Sequence, residues 1–298
     1  MTVLEAIKKS AEFLGKKNVG APRLHTELLL AHLLQLPRMK LYLNFDRVLS
    51  PEETDALREL VKRRGLREPL QHIIGSTSFC GLEFSVNRHA LIPRPETELL
   101  AEKGWQWLGG RPAAPAALDF GTGTGCIAIA LAAKCPAAKI TALDLSADAL
   151  RLAQENAAKN NVAEQIQFIQ GDGFAALDRG PDPRAEAARS FDLIISNPPY
   201  IPSDEIASLE PEVRDFDPRK ALDGGVDGLD FYRLFAAHAR SRLKAGGKIM
   251  LEFGDGQAGA IQAIFHDQKW MVEAVLEDYS QRARILLARV DQTLNESW

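Results

Sequence analysis

The chain has 298 residues, 46% of them hydrophobic and 26% charged, with a formal net charge of −4. That is an ordinary globular composition, long enough for two domains or one large domain with an appendage, and its acidic balance argues against a dedicated nucleic-acid binder with a long basic face. Three scattered cysteines, Cys80, Cys126 and Cys135, form no Cys-x-x-Cys pair or His/Cys cluster, which argues against a disulfide framework or zinc site and fits a reducing, cytoplasmic setting.

Residues 2–65 read as helices only. The N-terminal stretch mixes acids and lysines and lacks the apolar core of a signal peptide. Val3, Leu4, Ile7, Ala11 and Leu14 fall on one helical face. Pro22 opens a second helix with Leu24, Leu28, Leu29 and Leu33 expected along its apolar face. Ser50-Pro51-Glu52-Glu53 reads as an N-cap, a proline at the first helical position and first-turn acids, and starts another helix. The expectation is a small helical bundle over 1–70, near the lower size limit for independent stability and leaning on the rest of the chain. It carries 13 Lys and Arg against 9 Asp and Glu, a net of +4 that leaves −8 for the remainder. A cluster such as Lys62-Arg63-Arg64 reads first as a solvated helix face.

Residues 71–90 change character. The runs HIIGSTSF and LEFSVN are strand-like and flank Cys80-Gly81, predicting a connecting β-hairpin between two domains.

From 91 to 298 strands and helices alternate. AALDF (116–120), KITALD (139–144), IQFIQ (166–170), FDLIIS (191–196) and GKIMLEF (247–253) read as strands, with helices over 125–134, 146–160 and 229–243. WMVEAVLEDY and ARILLARV add two strand-like segments close enough to pair directly. The pattern predicts an α/β fold, a doubly wound, mostly parallel seven-stranded sheet covered on both faces. Residues 178–190, rich in Pro, Gly and charge, read as a surface loop. No apolar run reaches the ~18 residues of a membrane span, and His25, His32, His72, His89, His238 and His266 show no ligand spacing, so no metal and no membrane are assigned.

Asp119-Phe120-Gly121-Thr122-Gly123-Thr124-Gly125 follows the first strand of the sheet and opens a helix. Glycines permit a tight turn and close approach of a ligand to the backbone, and amides at a helix N-terminus bind polar groups. The pattern alone separates poorly from a dinucleotide fingerprint, because Asp144 at the end of the second strand could hold ribose hydroxyls in either case. Two details favour S-adenosylmethionine. The spacing is Gly-x-Gly-x-Gly, and Asp119 would repel a pyrophosphate but favour a cationic ammonium or sulfonium. Asp172 closes the third strand in Gly171-Asp172-Gly173-Phe174, where an acid could accept from an adenine amino group. Phe174 reads equally as an adenine neighbour or as core.

Ser196-Asn197-Pro198-Pro199-Tyr200 follows the fourth strand. Two prolines stop the ladder and stiffen the segment. An amide or aromatic amine nitrogen is a poor nucleophile because its lone pair is delocalised. Acceptors placed at its N–H groups, here the Asn197 side-chain oxygen and the Pro198 carbonyl, would orient it and support the charge that develops as a methyl group arrives. Tyr200 offers a flat face to a planar group, and catalysis would rest mainly on alignment.

With these stretches the chain resembles the peptide chain release factor glutamine methyltransferases of the HemK/PrmC type. The resemblance spans nearly the whole sequence. It is carried by Arg67-Glu68-Pro69-Leu70-Gln71-His72-Ile73-Ile74-Gly75, by Leu91-Ile92-Pro93-Arg94-Pro95-Glu96-Thr97-Glu98, by 119–125, by Asn197-Pro198-Pro199-Tyr200, by 212–228 and by Glu252-Phe253-Gly254. It implies a class I, Rossmann-like methyltransferase domain that binds S-adenosylmethionine through Gly121 to Gly125, Asp144, Asp172, Gly173 and Asn197 and releases S-adenosylhomocysteine. The implied substrate is the glutamine of the Gly-Gly-Gln motif of class-1 release factors, gripped by Asn197, Pro198, Pro199 and Tyr200, with N5-methylglutamine as product. The resemblance also implies that residues 1–70 help dock the release factor and that Arg94 and Glu98 line the approach. Two positions depart from the family pattern: Gly173 stands where some relatives have an aromatic, and Phe120 where an aliphatic residue is usual. Other readings remain open on the sequence alone. They are glutamine methylation of a ribosomal protein, adenine-N6 or guanine-N2 methylation of nucleic acid, and a cofactor-binding scaffold without turnover. The charge of −8 beyond residue 70 weighs against stable nucleic-acid binding.

Overall fold

The computed structural model describes residues 1–111, 113–178 and 190–290; the loop expected at 178–190 lies almost wholly outside them. The chain separates into two compact units. One comprises Met1–Ser76 and Leu209–Phe216, the other Thr77–Ser208 and Asp217–Trp298.

The first unit holds α1 (Val3–Lys16), α2 (Pro22–Leu33), α3 (Arg38–Leu41), α4 (Pro51–Gly65) and α5 (Leu70–Ile74). Two capping boxes start its long helices, Thr2 with Glu5 and Ser50 with Glu53, each satisfying two otherwise orphaned amides. Val3, Ile7 and Leu14 of α1 pack with Leu29 and Leu30 of α2 and with Leu57 and Val61 of α4. The apolar face of α2 is rotated from the expected one. Thr26, Glu27, Leu29 and Leu30 are buried and Leu24 is 37% exposed. Glu27 is tolerated inside because Arg23 and Arg38 each donate to it at 2.9 Å and the Tyr42 hydroxyl donates at 3.0 Å. His72-Ile73-Ile74 is helical instead of strand-like, since α5 begins after Pro69 and is closed by Gly75 at φ 83°. The returning segment carries α9 (Pro211–Arg214). There Glu212 accepts from Arg64 at 2.6 Å and from Arg67 at 2.5 Å, and these guanidinium groups hold its carboxyl down at about 2 against the opposing effect of burial.

The second unit opens with the hairpin β1 (Ser76–Phe79) and β2 (Leu82–Ser85). Cys80 and Gly81 both have positive φ, 52° and 77°, as mirror-image hairpin turns require. Then come α6 (Pro95–Gly109), β3 (Ala116–Phe120), α7 (Cys126–Lys134), β4 (Lys139–Asp144), α8 (Ala147–Lys159), β5 (Ile166–Gln170), β6 (Phe191–Ser196), α10 (Asp230–His238), β7 (Leu243–Glu252), α11 (Ala258–Asp267), β8 (Trp270–Glu277) and β9 (Ala283–Val290). The seven-stranded sheet has the order β5-β4-β3-β6-β7-β9-β8. Its first five strands are parallel, and β9 inserts antiparallel between β7 and β8, so the sheet is mixed. Alternation splits the core. Ala117, Leu193 and Ile195 face one layer with α6 and α7, while Leu118, Phe120 and Ile194 face the other with Tyr232, Phe235 and Phe265. Helix α6 lies close enough that a Cβ on Gly104 would sit 2.9 Å from Ile195 and Leu131. Because β3 is flanked by β4 on one side and β6 on the other, the strand order reverses there, and the carboxyl ends of these strands open onto the switch-point crevice where ligands bind in such sheets.

Candidate active site

A cavity of about 620 Å³ lies at that crevice, lined by Gly121 to Thr124, Asp144, Asp172, Gly173, Asn197, Pro198, Pro199 and Arg94 among others. Its size suits a small organic ligand.

The loop after β3 forms one wall. The amides of Gly121 and Thr122 both donate to the Leu143 carbonyl, at 2.8 and 2.9 Å. Gly121, Gly123 and Gly125 have φ of 73°, 54° and 81°, a region that strains any residue with a Cβ. A Cβ on Gly121 would meet nothing within 4 Å, so this glycine is required by backbone conformation and leaves open space above the turn. Asp144 accepts from the amides of Gly123 and Ser146, both at 2.8 Å. It thus ties the loop to the start of α8 while its carboxylate still faces the cavity.

Asp119 lies beneath the loop and off the cavity lining. It is 1% exposed, and one oxygen accepts from the Thr122 hydroxyl at 2.6 Å and from the Ala128 amide at 3.1 Å. Burial nevertheless pushes its carboxyl up to about 7. The second oxygen, Oδ1, is buried with no hydrogen-bond partner among the described residues. A desolvated acid with one unsatisfied oxygen, under a loop whose Gly121 has open space above it, fits a ligand with a cationic group.

Gly125 also stands off the lining. It caps α7, and a Cβ there would come within 3.0 Å of Ala153 and Ile129. Phe174 belongs to the core, tilted against Phe120 at 5.0 Å and edge-on to Phe235 at 5.9 Å between ring centroids, while Phe120 itself reaches the cavity. Cys126 lines the cavity, but burial pushes its thiol well up, so it is no activated thiolate.

The opposite wall is the segment after β6. The Ser196 hydroxyl donates to the Phe120 carbonyl at 2.6 Å, locking the two strand ends together. Asn197 donates its side-chain nitrogen to the Thr97 hydroxyl at 3.0 Å, which leaves Oδ1 as the acceptor end of the amide. The Tyr200 carbonyl accepts from Gln257 at 2.9 Å, and Gln257 in turn accepts from the Gly254 amide at 2.9 Å. The Tyr200 ring is off the cavity lining and packs over Gly254. Burial pushes its phenol up to about 12. The loop 223–228 backs this segment so closely that a Cβ on Gly224 would sit 2.9 Å from the Pro199 carbonyl and one on Gly228 2.3 Å from that of Tyr200.

Arg94 caps the N-terminus of α6, lines the cavity and pairs with the buried Asp217 at 2.6 Å. Glu98 is engaged elsewhere, accepting the Cys80 amide of the hairpin turn at 2.9 Å. Thr97, Gln257, Gly224 and Asp217 had no role in the sequence reading. Their only signal was position inside or beside the family stretches, since their partners lie far away in sequence. No group of His, Cys, Asp and Glu able to hold a metal occurs among the described residues.

The comparisons with known proteins agree with this architecture. The model of the PrmC N-terminal domain matches residues 5–75, and that of the methyltransferase small domain matches 106–208. A release factor glutamine methyltransferase of Geobacter sulfurreducens is 45% identical over 89% of this chain and 88% of its own length. That of Chlorobaculum tepidum is 40% identical over 95% of both. Among solved structures, the hMettl16 catalytic domain in complex with the MAT2A 3'UTR hairpin 6 aligns with a TM-score of 0.51 at 17% identity, over 78% of this chain and 83% of that one, a likeness of fold alone. With the glycine loop and Asn197-Pro198-Pro199 lining one cavity and relatives matching over 89% and 95% of its length, the chain belongs to the release factor glutamine methyltransferase family.

Proposed function

We propose that the protein methylates the side-chain amide nitrogen, N5, of the glutamine in the Gly-Gly-Gln motif of class-1 peptide chain release factors, using S-adenosylmethionine and releasing S-adenosylhomocysteine. The observation that carries this reading is the orientation of Asn197, whose nitrogen is engaged by Thr97 so that its oxygen is the end offered to an incoming N–H. When bound, S-adenosylmethionine supplies a methyl group on a positively charged sulfur.

The protein's own residues hold and align. Gly121 to Thr124 cradle the cofactor through backbone, Asp144 accepts from ribose hydroxyls, Asp172 accepts from the adenine amino group, and Asp119 answers the cationic end from below. Asn197 Oδ1 and the Pro198 carbonyl accept hydrogen bonds from the two N–H groups of the glutamine amide, which aims the nitrogen at the methyl donor and favours the positive charge developing there; as the N–CH3 bond forms the S–CH3 bond breaks, and the nitrogen releases one proton to water. Pro199 and the anchored Tyr200 keep that pair of acceptors stiff, and Arg94, held by Asp217, lines the way in. Docking of the release factor by the helical unit is part of the same reading, supported by the apolar side chains Met39, Leu43 and Leu66, which are 70–77% exposed there. The expected place of work is the cytoplasm; no helix among the described residues is long and apolar enough to cross a membrane.

The test is incubation with labelled S-adenosylmethionine and three substrates: a purified release factor, its Gly-Gly-Gln→Gly-Gly-Ala variant, and total RNA with DNA. Label on the unaltered factor alone supports the reading, and label on nucleic acid overturns the substrate. In the same assay Asn197→Ala is expected to lower turnover by on the order of 100- to 1,000-fold, the usual effect of removing one preorganised polar contact to a transition state, while S-adenosylhomocysteine still binds. Unchanged turnover would reject the role given to Asn197.

A further inference from the structure

Among the described residues, the large apolar side chains that the second unit leaves exposed are Leu145, Val226 and Tyr279, at 49%, 89% and 82%. All three lie at the carboxyl ends of the strands. Leu145 follows β4 and lines the cavity. Val226 is at the tip of the loop whose glycines pack on the Pro199 and Tyr200 carbonyls. Tyr279 is in the turn between β8 and β9, and because Glu252 pairs with Ile285, that turn sits beside the carboxyl end of β7. Exposed apolar residues scattered singly over a surface need no explanation. These are confined to the rim that holds the cavity.

The two tips beyond the cavity are built alike, around aspartates that occupy the backbone amides. In the loop at 223–228, Asp223 accepts from the Ser203 hydroxyl at 2.6 Å and from the Gly225 amide at 3.1 Å, and Asp227 accepts from the Leu229 amide at 3.2 Å and from Arg233 at 2.9 Å. In the β8–β9 turn, Asp278 accepts from the amides of Ser280 and Arg282, at 2.7 and 3.1 Å, and from Arg284 at 3.2 Å. Each loop is thus fixed from within and holds one apolar side chain out in water. Both are also tied to the wall that carries Asn197. Gln257 bonds the Tyr200 carbonyl and the Gly254 amide, and the neighbouring Phe253 amide donates to the Arg284 carbonyl at 2.9 Å.

We propose that Val226 and Tyr279 are anchors of a docking surface on the catalytic unit, covered by the release factor on either side of the loop that presents its glutamine. This rests on the reading of the release factor as substrate. A glutamine borne by a folded protein reaches Asn197 only when the surface around it comes to rest on the rim, whereas a short peptide reaching the same cavity has too little surface to cover both tips. Side chains held in place before the partner arrives lose little freedom on binding, and a buried tyrosine is among the strongest contributors to protein interfaces. Charge selects the same occupant. The net −8 beyond residue 70 favours a partner with a basic surface over a polyanion. The helical unit then shares the work of holding the factor with the catalytic unit.

The experiment measures steady-state methylation of a purified release factor by the full-length protein and by Val226→Ser, Tyr279→Ser and the double variant. Each single change is expected to raise the KM for the factor by on the order of tenfold, the effect of truncating an interface anchor, and the double variant more. The kcat at saturating factor, the Kd for S-adenosylhomocysteine and the melting temperature should stay at wild-type values, since both side chains project away from the fold. An unchanged KM in the double variant overturns the proposal, as does a rise in KM matched by an equal loss in cofactor affinity or melting temperature. Light scattering tests the competing occupant. A wild-type dimer that the double variant dissociates would show that a second copy of this chain covers the tips, and would also overturn it. The two levels separate cleanly. If the wild-type protein labels the factor and the variants match its KM, only the docking surface falls; if the wild-type protein does not label the factor, the substrate reading falls and this surface with it.

Discussion

The glycine loop is secured from nearer by, through hydrogen bonds that reach 3, 9, 21 and 32 positions along the chain, whereas the Asn197–Tyr200 segment is secured from 57 and 100 positions away. The first wall is thus a local structure. Once β3 and β4 pair and three glycines take positive φ, Asp119 and Asp144 finish it with groups already at hand. The second wall is assembled by the whole unit, since α6, the loop at 223–228 and the start of α11 all contribute to it. A local structure tolerates drift elsewhere in the sheet, and an assembled one transmits it. Damage to the first should therefore appear chiefly in cofactor affinity, and damage to the second chiefly in turnover.

The sharpest way to break that contrast is Gly228→Ala. Gly228 has φ 74°, and its added Cβ would lie 2.3 Å from the Tyr200 carbonyl oxygen and 2.7 Å from Gln257 Nε2. A backbone oxygen cannot give way without moving the strand end that carries Asn197. Turnover is expected to fall by on the order of 100-fold, with the Kd for S-adenosylhomocysteine by calorimetry changing far less. A larger loss in Kd than in kcat would show that the two walls are not separable.

Gly121→Ala is the counterpart and the milder change. Its Cβ meets nothing within 4 Å, so the effect comes from left-handed backbone alone, about 1–2 kcal/mol, or roughly tenfold in affinity. The expected result is weaker cofactor binding and a smaller change in kcat at saturating cofactor. A kcat effect exceeding the affinity effect would contradict the division of labour.

The same contrast explains what the sequence disclosed. Strands β3 to β6 have the bounds read from their apolar runs because each run stops at a proline, a glycine or a charged turn. The glycine loop was legible because its glycines and Asp119 stand together in one stretch and its other support, Asp144, ends the next strand. The helices α6 and α11 went unread, and His72-Ile73-Ile74 suggested a strand where Pro69 and Gly75 cap a short helix. Burial of Glu27 followed from Arg38 and Tyr42, residues that no pattern within α2 contains. In the site, Asn197 and Pro198 could be singled out from their chemistry, but Thr97 and Gln257 could not, because their value depends on which strand ends become neighbours. Phe120 and Phe174 show the limit in miniature. Both are aromatics beside the cavity in sequence terms, yet only the fold decides that the first reaches it and the second fills the core.

The smallest expected effect tests whether Asp119 is held at a cost to the fold. Its carboxyl, ordinarily near 3.8, is pushed up to about 7 by burial, and its hydrogen bonds from Thr122 and Ala128 only partly oppose this. Between about pH 4 and pH 7 the folded protein therefore keeps a proton that the unfolded chain has released. Where the native state binds more protons, stability falls as pH rises. The contribution is absent below about pH 4, grows through the interval and is complete above about pH 7, with a slope of at most about 1.4 kcal/mol per pH unit for one proton. Asp119→Asn removes the titration while keeping an oxygen for Thr122 and Ala128. Melting temperatures of the ligand-free protein are expected to decline from pH 5 to pH 8, and to decline less steeply in the variant. Parallel declines would mean that Asp119 is ionised throughout and that the loop accommodates its charge without penalty. Glu252, also pushed up to about 7 by burial, titrates with the same sign and remains in both proteins, so the difference between the two curves isolates the carboxylate beneath the glycine loop.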